Sequence, residues 1–173
     1  MMFGFLDLEF SGLNINKHEI IEIACVVTDT GFSQKDIFSS CIYYPELTFD
    51  EQAYSMHEKN GLLSDISEAP EFDQVYDEFD KFLSKYPDLI LAGNSVGIDH
   101  KWIEAKMPKL LRHLNHRVVD LSSVKIIFDC AVGIKNFPSV SSQHRAVEDV
   151  RHSIALAKNM TGMIGTMVAA KSM

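Results

Sequence analysis

The sequence predicts an α/β domain in which helices cover a mixed β-sheet. Three short apolar runs come first, and helical and strand-like segments alternate after them. This order is typical of a sheet packed against helices. The length of 173 residues fits one domain, because domains cluster near roughly 100–150 residues. We therefore expect residues 1–173 to form a single domain, with a frayed C-terminal tail from about residue 165.

Strands are predicted where aromatic and β-branched residues form short apolar runs. The turn at residues 11–14 brings the first two strands close enough to lie antiparallel, although this loop is too long for a tight hairpin. A proline ends the third strand. The predicted strands are Met2–Glu9, Ile20–Thr28, Ile37–Tyr44, Leu89–Ala92 and Val118–Val119.

The clearest predicted helix is Glu71–Tyr86, whose apolar residues recur every three or four positions and form one continuous stripe. Pro87 ends this helix, because proline cannot continue the hydrogen-bonding pattern. Further helices are predicted around Trp102 as far as about Met107, from about Leu121 onward, and from about His144 to Met163.

Composition and charge exclude several classes of protein. Hydrophobic residues make up 46% of the chain and charged residues 23%, which are values of a globular protein rather than a disordered one. No uncharged apolar run approaches the roughly 18 residues that span a bilayer, so we expect no membrane partner. The net charge of −8 argues against binding of a long polyanion, because the field of the whole protein repels it.

One segment of the chain is basic, although the protein as a whole is acidic. Residues 100–117 contain five lysine and arginine residues and one glutamate, whereas residues 46–88 contain 12 acidic and 3 basic residues. The basic stretch could bind a single phosphate, or it could be the solvated face of a helix. Charge alone leaves both interpretations open.

The three cysteines, Cys25, Cys41 and Cys130, are odd in number and far apart in the chain. They indicate neither a disulfide framework nor a CxxC site. The start of the chain also lacks the basic residues and the cleavage site of a secretory signal. We therefore expect a reducing, cytoplasmic location.

Asp7 and Glu9 are unusual because they lie in an otherwise apolar strand. Side chains alternate along a strand, so these two share a face at a spacing of about 7 Å. Two carboxylates on a buried face are costly unless positive charge lies between them, and Mg²⁺ and Mn²⁺ favour carboxylate oxygens. The pair is therefore a candidate metal site, unless this face belongs to an edge strand in contact with water.

Asp99 follows the predicted strand Leu89–Ala92 in the segment GNSVGID. Ligands of α/β sheets bind in the crevice beyond the carboxyl ends of the strands, so Asp99 is a candidate for the same site. Its alternative role is to favour the next helix through the helix dipole.

His144 and Asp149 lie near the other end of the chain, in SSQHRAVED. Five residues of a helix subtend about 500°, so within one helix the two side chains would point about 140° apart. They can share a site only if His144 lies in the loop or the first turn and Asp149 lies inside the helix. Otherwise they are a helix-entry histidine and a first-turn charge.

In chain order these residues form D-x-E, D and H-x4-D, which resembles the DEDDh family of 3′→5′ exonucleases. The resemblance narrows to the oligoribonuclease family and extends over most of the chain. It implies an RNase H-like fold with a five-stranded mixed sheet flanked by helices, and a homodimer. The segments that carry it are DLEFSGLN, IIEIACVVTD, GNSVGIDHKWI, HRVVDLSSVK and QHRAVEDVRHSI.

The resemblance implies a metal-dependent 3′→5′ exoribonuclease that degrades very short single-stranded RNA to mononucleotides. Two Mg²⁺ or Mn²⁺ ions would be its cofactors. Asp7, Glu9 and Asp149 would hold one ion, while Asp7 and Asp99 would hold the second. His144 would act as the general base for the attacking water.

The resemblance also assigns residues that select a short substrate. Leu13 would be an apolar wedge between the two terminal bases. His57, Ser95 and Arg117 would surround the 5′ phosphate. His116 occupies the position of a family tyrosine that reaches into the site of the other subunit. Each of these residues could instead be an ordinary turn, helix-face or surface residue.

Gln52 stands where the family has a tryptophan, five residues before His57. Base stacking contributes about 1–3 kcal/mol per base, so this replacement is expected to loosen the preference for dinucleotides or to alter the sugar preference. The alternative function is therefore a DEDDh exonuclease that acts on single-stranded DNA or on longer RNA 3′ ends. A third hypothesis, a non-catalytic nucleic-acid-binding module on the same fold, is disfavoured because all five motif residues are present.

Overall fold

The computed structural model of the protein describes residues 1–132 and 142–171. Within these residues the strands are β1 (Phe3–Phe10), β2 (Ile20–Thr28), β3 (Gln34–Cys41), β4 (Leu89–Gly93) and β5 (Leu114–Asp120). They form one mixed sheet in the order β3-β2-β1-β4-β5. The first three strands pair antiparallel, as predicted for β1 and β2, whereas β4 is parallel to β1 and β5 is parallel to β4.

Helices cover both faces of this sheet. No helix in the described ranges is both long enough and apolar enough to cross a membrane. The helices are α1 (Glu51–Lys59), α2 (Leu62–Ile66), α3 (Phe72–Ser84), α4 (Gly97–Lys106), α5 (Leu121–Val132) and α6 (Ala146–Lys171), with a short 3₁₀ helix at Pro108–His113.

The two faces of β1 belong to different apolar clusters because its side chains alternate. Leu6 and Leu8 pack in the larger cluster, together with residues of α3 and α4. Phe5 points the other way and packs in a second cluster with residues of α5 and α6. Asp7 and Glu9 alternate in step with Phe5, so they lie on the α6 side of the sheet.

The end of β1 projects beyond its parallel neighbour β4. The ladder between the two strands covers only Phe3 to Phe5 of β1, and β4 ends at Gly93. The rest of β1 therefore has an open backbone edge on this side, and α4 begins close by at Gly97. The ends of these strands form the type of crevice in which α/β proteins bind ligands.

The predicted boundaries of β3 were wrong, because the strand lies three residues earlier than Ile37–Tyr44. Its register with β2 ends at Cys41. The N–H of Tyr43 then donates to the carbonyl of Pro70, outside this pairing. Apolar character marked the general position of the strand, whereas pairing with β2 decides where it begins and ends.

The last strand is also longer than the predicted Val118–Val119, because β5 begins at Leu114 and includes residues 115–117, which are polar and lie at the edge of the sheet. The sequence did not predict α1 and α2. Both helices are short and bury few side chains, so apolar periodicity does not reveal them. Their buried residues are Ala53, His57, Leu62 and Ile66.

The remaining helices agree with the predictions except at their ends. The predicted helix Glu71–Tyr86 is one residue longer at its start and two at its end than the observed α3. Asp99 lies within the first turn of α4, which begins at Gly97 and ends at Lys106, one residue before the predicted end. α6 continues to Lys171 rather than ending at Met163.

Gly93→Ala is expected to destabilise the protein by roughly 1–3 kcal/mol, the usual cost of overpacking. A Cβ at this position would lie 2.6 Å from the carbonyl oxygen of Leu6, and the backbone of a central strand cannot move aside easily. Gly97→Ala is the control, because a Cβ there meets nothing within 4 Å and alanine favours helix. Urea unfolding followed by circular dichroism measures both variants, and wild-type stability of Gly93→Ala would contradict the close approach.

Candidate active site

The five motif residues meet in one cavity of about 530 Å³ at the end of β1. β1 supplies two of them, the first turn of α4 supplies one, and the start of α6 with the segment before it supplies the other two. The cavity thus lies where strands end and helices begin. The five residues are Asp7, Glu9, Asp99, His144 and Asp149.

Asp7 and Glu9 point into the cavity from the same face of β1, as the alternation of strand side chains predicts. Burial, with the charges of Asp99 and Glu9, raises the pKa of Asp7 to about 9. Burial, with the charge of Asp149, raises the pKa of Glu9, which is 7% exposed, to about 8. Both carboxyl groups therefore favour the protonated form until a cation compensates their charge.

Asp99 is buried and bonded to the open edge of β1. Its Oδ1 accepts a hydrogen bond from the N–H of Leu8 at 3.1 Å. This bond attaches α4 to the strand at the position between Asp7 and Glu9. Burial raises the pKa of Asp99 to about 7, although its backbone hydrogen bonds act in the opposite direction.

Asp149 organises the segment that precedes α6. Its Oδ1 accepts from the N–H of Gln143 at 3.0 Å, and its Oδ2 accepts from the N–H of His144 at 3.1 Å. The hydroxyl of Ser142 also donates to Oδ2. A carboxylate of the first turn thus reaches back and satisfies backbone donors of the segment that precedes the helix.

His144 lies two residues before Ala146, the first residue of α6. The condition for its convergence with Asp149 is therefore met. Its backbone has a φ of 53°, a left-handed conformation that is uncommon for residues other than glycine and that occurs at functional sites. Ligand atoms of Glu9, His144 and Asp149 lie within 4.8 Å of one another.

This set of donor atoms fits divalent cations. Carboxylate oxygens are preferred ligands of Mg²⁺ and Mn²⁺. Burial raises the pKa values of Asp7, Glu9 and Asp99, and the described residues that line the cavity include no lysine or arginine to offset their charge. A cation among the carboxylates would offset that charge.

Leu13 and Ser95 also line the cavity. The side chain of Leu13 is 81% exposed, so it is available to a ligand. Ser95 has a φ of 53°, and its hydroxyl lies 3.2 Å from the hydroxyl of Ser122. The roles of Leu13 as a base wedge and of Ser95 as a phosphate contact stay predictions.

Two buried polar side chains hold the loop that carries Leu13 through hydrogen bonds to its backbone. The hydroxyl of Ser11 accepts from the N–H of Glu19 at 3.0 Å. Nδ1 of His18 accepts from the N–H of Asn14 at 3.1 Å. Ser11 and His18 are both buried. Their hydrogen bonds therefore fix the backbone of the loop, although the side chain of Leu13 is exposed.

The structure places His57 elsewhere than the resemblance implies. Its ring is fully buried in α1 and is not among the described residues that line the cavity. Nε2 lies 3.1 Å from the carbonyl oxygen of Phe10 and 3.9 Å from Oε2 of Glu9. Burial lowers the pKa of His57, which favours a neutral ring. This arrangement supports the end of β1 and does not offer His57 to a phosphate.

Arg117 and His116 are not brought to the cavity of their own chain either. Both are exposed on β5, at the edge of the sheet. Neither is among the described residues around the cavity. Their substrate roles stay predictions.

Several residues around the site were not singled out from the sequence. Ala53 and Met56 line the cavity beside Gln52, on the helix that was not predicted. His152 also lines it, and its Nδ1 lies 3.6 Å from Oδ1 of Asp149. Glu22 lies directly behind the site, and it has a signal in the sequence because it is the one charged residue of its strand.

Comparison with known proteins identifies the class to which this fold and site belong. A family model described as Exonuclease (RNase_T) matches residues 5–157, a range that contains all five motif residues. The chain belongs to this exonuclease family.

Several of its relatives in sequence are oligoribonucleases. The mitochondrial oligoribonuclease of Mus musculus is 33% identical over 165 residues, which cover 87% of this chain and 68% of that protein. The oligoribonuclease of Cutibacterium acnes is 30% identical, with 88% of this chain and 81% of that protein covered. Within the family, the chain therefore belongs with the oligoribonucleases, and the predicted resemblance is confirmed.

Solved structures confirm the predicted fold. Exonuclease I of E. coli in complex with a dT13 oligonucleotide superposes with a TM-score of 0.72 at 14% identity. The match covers 98% of this chain and 43% of exonuclease I, so the chain spans less than half of that protein. At this identity the likeness concerns the fold, a five-stranded mixed sheet with helices in the RNase H-like arrangement.

Asp7→Asn is expected to stabilise the metal-free protein at alkaline pH. The pKa values of Asp7 and Glu9 are higher in the folded state, about 9 and about 8, than the roughly 4 of an unfolded chain. The folded state therefore binds more protons between these values, and the free energy of unfolding falls as the pH rises through this window. In EDTA near pH 8, the variant should melt at least about 2–4 °C above wild type, the shift that about 1 kcal/mol produces in a domain of this size.

Differential scanning calorimetry between about pH 5 and about pH 9 measures this effect. Asp77→Asn, at an exposed position of α3, is the matched control and should leave the pH dependence of wild type unchanged. A metal-free wild type that melts at a higher temperature at alkaline than at acidic pH would contradict the prediction.

Proposed function

We propose that the protein is a 3′→5′ exoribonuclease that degrades very short single-stranded oligoribonucleotides to mononucleotides. The observation that carries this proposal is the convergence of Asp7, Glu9, Asp99, His144 and Asp149 in one cavity. The names of the relatives, which are oligoribonucleases, support the RNA substrate and its short length.

The shape and charge of the protein favour a short substrate. A cavity of about 530 Å³ is within the roughly 300–1,000 Å³ of sites for small ligands. A net charge of −8 repels a long polyanion, because few phosphates can be neutralised. A substrate of a few nucleotides carries few phosphates, so the protein repels it less than a long polyanion.

The residues of the chain have distinct roles in the proposed hydrolysis. Asp7, Glu9 and Asp149 would hold one divalent cation, and Asp7 with Asp99 would hold a second. Bound cations supply polarisation of the phosphodiester and neutralisation of the leaving oxygen. We propose Mg²⁺ or Mn²⁺, because both prefer carboxylate oxygens.

His144 accepts the proton of the attacking water at an imidazole nitrogen, the general-base role that histidine side chains commonly perform. Its exposure at the cavity allows contact with that water. The hydrogen bond from its N–H to Asp149 keeps the imidazole beside the carboxylates. Leu13, exposed at the same cavity, packs against the terminal bases.

A second candidate function is exonuclease action on single-stranded DNA or on longer RNA 3′ ends. Gln52 lines the cavity where the resemblance expects tryptophan, so a stacking surface for a base is missing. The structural likeness to exonuclease I in complex with a dT13 oligonucleotide also supports this candidate. The length and the sugar of the substrate are the properties that distinguish the two candidates.

The cleavage assay compares end-labelled RNA and DNA of two, about seven and about 24 nucleotides in Mn²⁺ and in EDTA. We expect the rate on dinucleotide RNA to exceed that on the longest RNA by at least about tenfold, since about 1.4 kcal/mol of selective binding suffices for this factor. Asp99→Asn should be inactive on every substrate and serves as the control for contaminating nucleases. Equal rates at all lengths would contradict the proposal and favour the second candidate.

We also propose that the protein forms a homodimer through β5 and α5. Ile126 and Ile127 of α5 are 65% and 70% exposed, and exposed apolar patches mark association sites. β5 lies at the edge of the sheet, where unpaired backbone groups favour association. Arg117 and His116 lie on the same strand, which agrees with the implied role of position 116 at the other subunit's site.

The dimer is tested by replacing Ile126 and Ile127 together with glutamate. Charges in an apolar interface should make the variant monomeric at micromolar concentration, because they cannot be buried unpaired. Light scattering coupled to size-exclusion chromatography measures the mass. Ile37→Glu, at an exposed position of β3 at the opposite edge, is the control and should remain dimeric. A monomeric wild type would contradict the proposal.

The cytoplasm is our proposed location. Its support is that Cys25, Cys41 and Cys130 are all free thiols in the structure. Free cysteines of this kind are typical of reducing compartments.

A further inference from the structure

Glu22 is a buried charge that the proposed reaction does not use. It lies in β2 opposite Glu9 in the antiparallel register, is 3% exposed, and is not among the described residues that line the cavity. A buried carboxylate is costly unless it is paired and hydrogen-bonded. Its partners therefore indicate its role.

Both oxygens of Glu22 bind the start of α6. Oε2 accepts a hydrogen bond from the N–H of Ala146 at 2.9 Å. Oε1 accepts from Nη2 of Arg145 at 3.2 Å and from its Nε at 3.3 Å. Because Ala146 is the first residue of α6, its N–H has no acceptor within the helix. The carboxylate of Glu22 thus accepts a hydrogen bond from a backbone N–H at the start of the helix and also pairs with the guanidinium of Arg145.

Arg145 connects this carboxylate to α2 and to the junction between α1 and α2. Its Nη2 also lies 2.7 Å from Oδ2 of Asp65, and its Nη1 donates to the carbonyl of Asn60 at 3.4 Å. The side-chain amide of Asn60 in turn donates to the carbonyl of His144. The backbone on the C-terminal side of His144 is therefore held by β2 and by the α1–α2 junction.

Among the described residues, the side chain of His144 makes few contacts of its own. The residue is exposed, and its Nδ1 lies 3.3 Å from the hydroxyl of Ser142. Its position depends on the backbone on either side, where Asp149 binds the N–H and the contacts of Arg145 and Asn60 hold the other end. Since misplacement of a reacting group by about 1 Å can cost about 10²-fold in rate, these contacts bear on catalysis.

We infer that Glu22 and Arg145 are positioning residues for His144. Through the first residues of α6, they hold its imidazole beside the carboxylates of the cavity. The inference rests on the proposed function, because it concerns the proton transfer assigned to His144 in that reaction.

The test introduces Arg145→Ala into wild type and into His144→Ala and follows cleavage of a short RNA in Mn²⁺. In wild type, kcat should fall about 10–100-fold, the usual loss for a residue that orients a group in the site, with KM within about threefold. In His144→Ala, the same substitution should change the residual rate by less than about threefold, because the group that it positions is absent. Arg145→Lys, which retains a donor for Glu22, should recover most of the wild-type rate.

Arg151→Ala is the matched control. Arg151 lies in α6, six residues after Arg145, and pairs with Glu148 at the surface at 2.6 Å. Exposed pairs of this kind contribute little, so kcat should stay within about twofold of wild type. Glu22→Gln is the second variant if Arg145→Ala does not fold, because glutamine keeps an acceptor for Ala146 but loses the charge. Its kcat should fall about tenfold while the circular dichroism spectrum stays native.

Two results would overturn the inference. The first is a wild-type kcat in the folded variants with only a lower melting temperature, which is the signature of a merely structural role. The second is an equal loss in the wild-type and His144→Ala backgrounds, which would show that Arg145 does not act through His144. A wild-type protein that cleaves no oligonucleotide is a distinct outcome, because it would overturn the proposed function itself.

Discussion

Burial of several acidic side chains close together at the end of β1 is the constraint on which the rest of this structure depends. Burial and the charges of their neighbours raise the pKa values of Asp7 and Glu9. The folded chain keeps these groups together only because apolar clusters on both faces of the sheet offset the cost. A divalent cation would offset the charge of these groups. The carboxyl groups that suit the site to metal binding are therefore also the groups that lower the stability of the fold.

Hydrogen bonds at the start of α6 compensate the burial of two acidic side chains. A carboxylate of the cavity, Asp149, accepts backbone hydrogen bonds from the segment before the helix. A carboxylate behind the cavity, Glu22, accepts one from the first residue of the helix and pairs with Arg145. Two acidic side chains from different elements therefore fix the backbone on both sides of His144. The backbone of His144 therefore has a defined position although its side chain is exposed.

The five motif residues lie together in the fold, whereas the residues predicted to bind the substrate do not. The five motif residues and Leu13 surround one cavity of a single chain. Arg117 lies on the exposed edge strand, and His57 is buried beneath the end of β1. The five motif residues thus meet within one chain, whereas the residues predicted to bind the substrate are dispersed over the cavity, α1 and β5.

The sequence by itself determined the α/β class, the central strands and the five motif residues. Apolar periodicity reports burial, and a carboxylate in an apolar strand such as β1 is an exception that a bound cation explains. It did not reveal α1, which buries only Ala53 and His57, or the ends of β3, which pairing with β2 decides. Only the tertiary structure decided that Glu22 meets Arg145, because contacts between residues so distant in the chain leave no local pattern in the sequence.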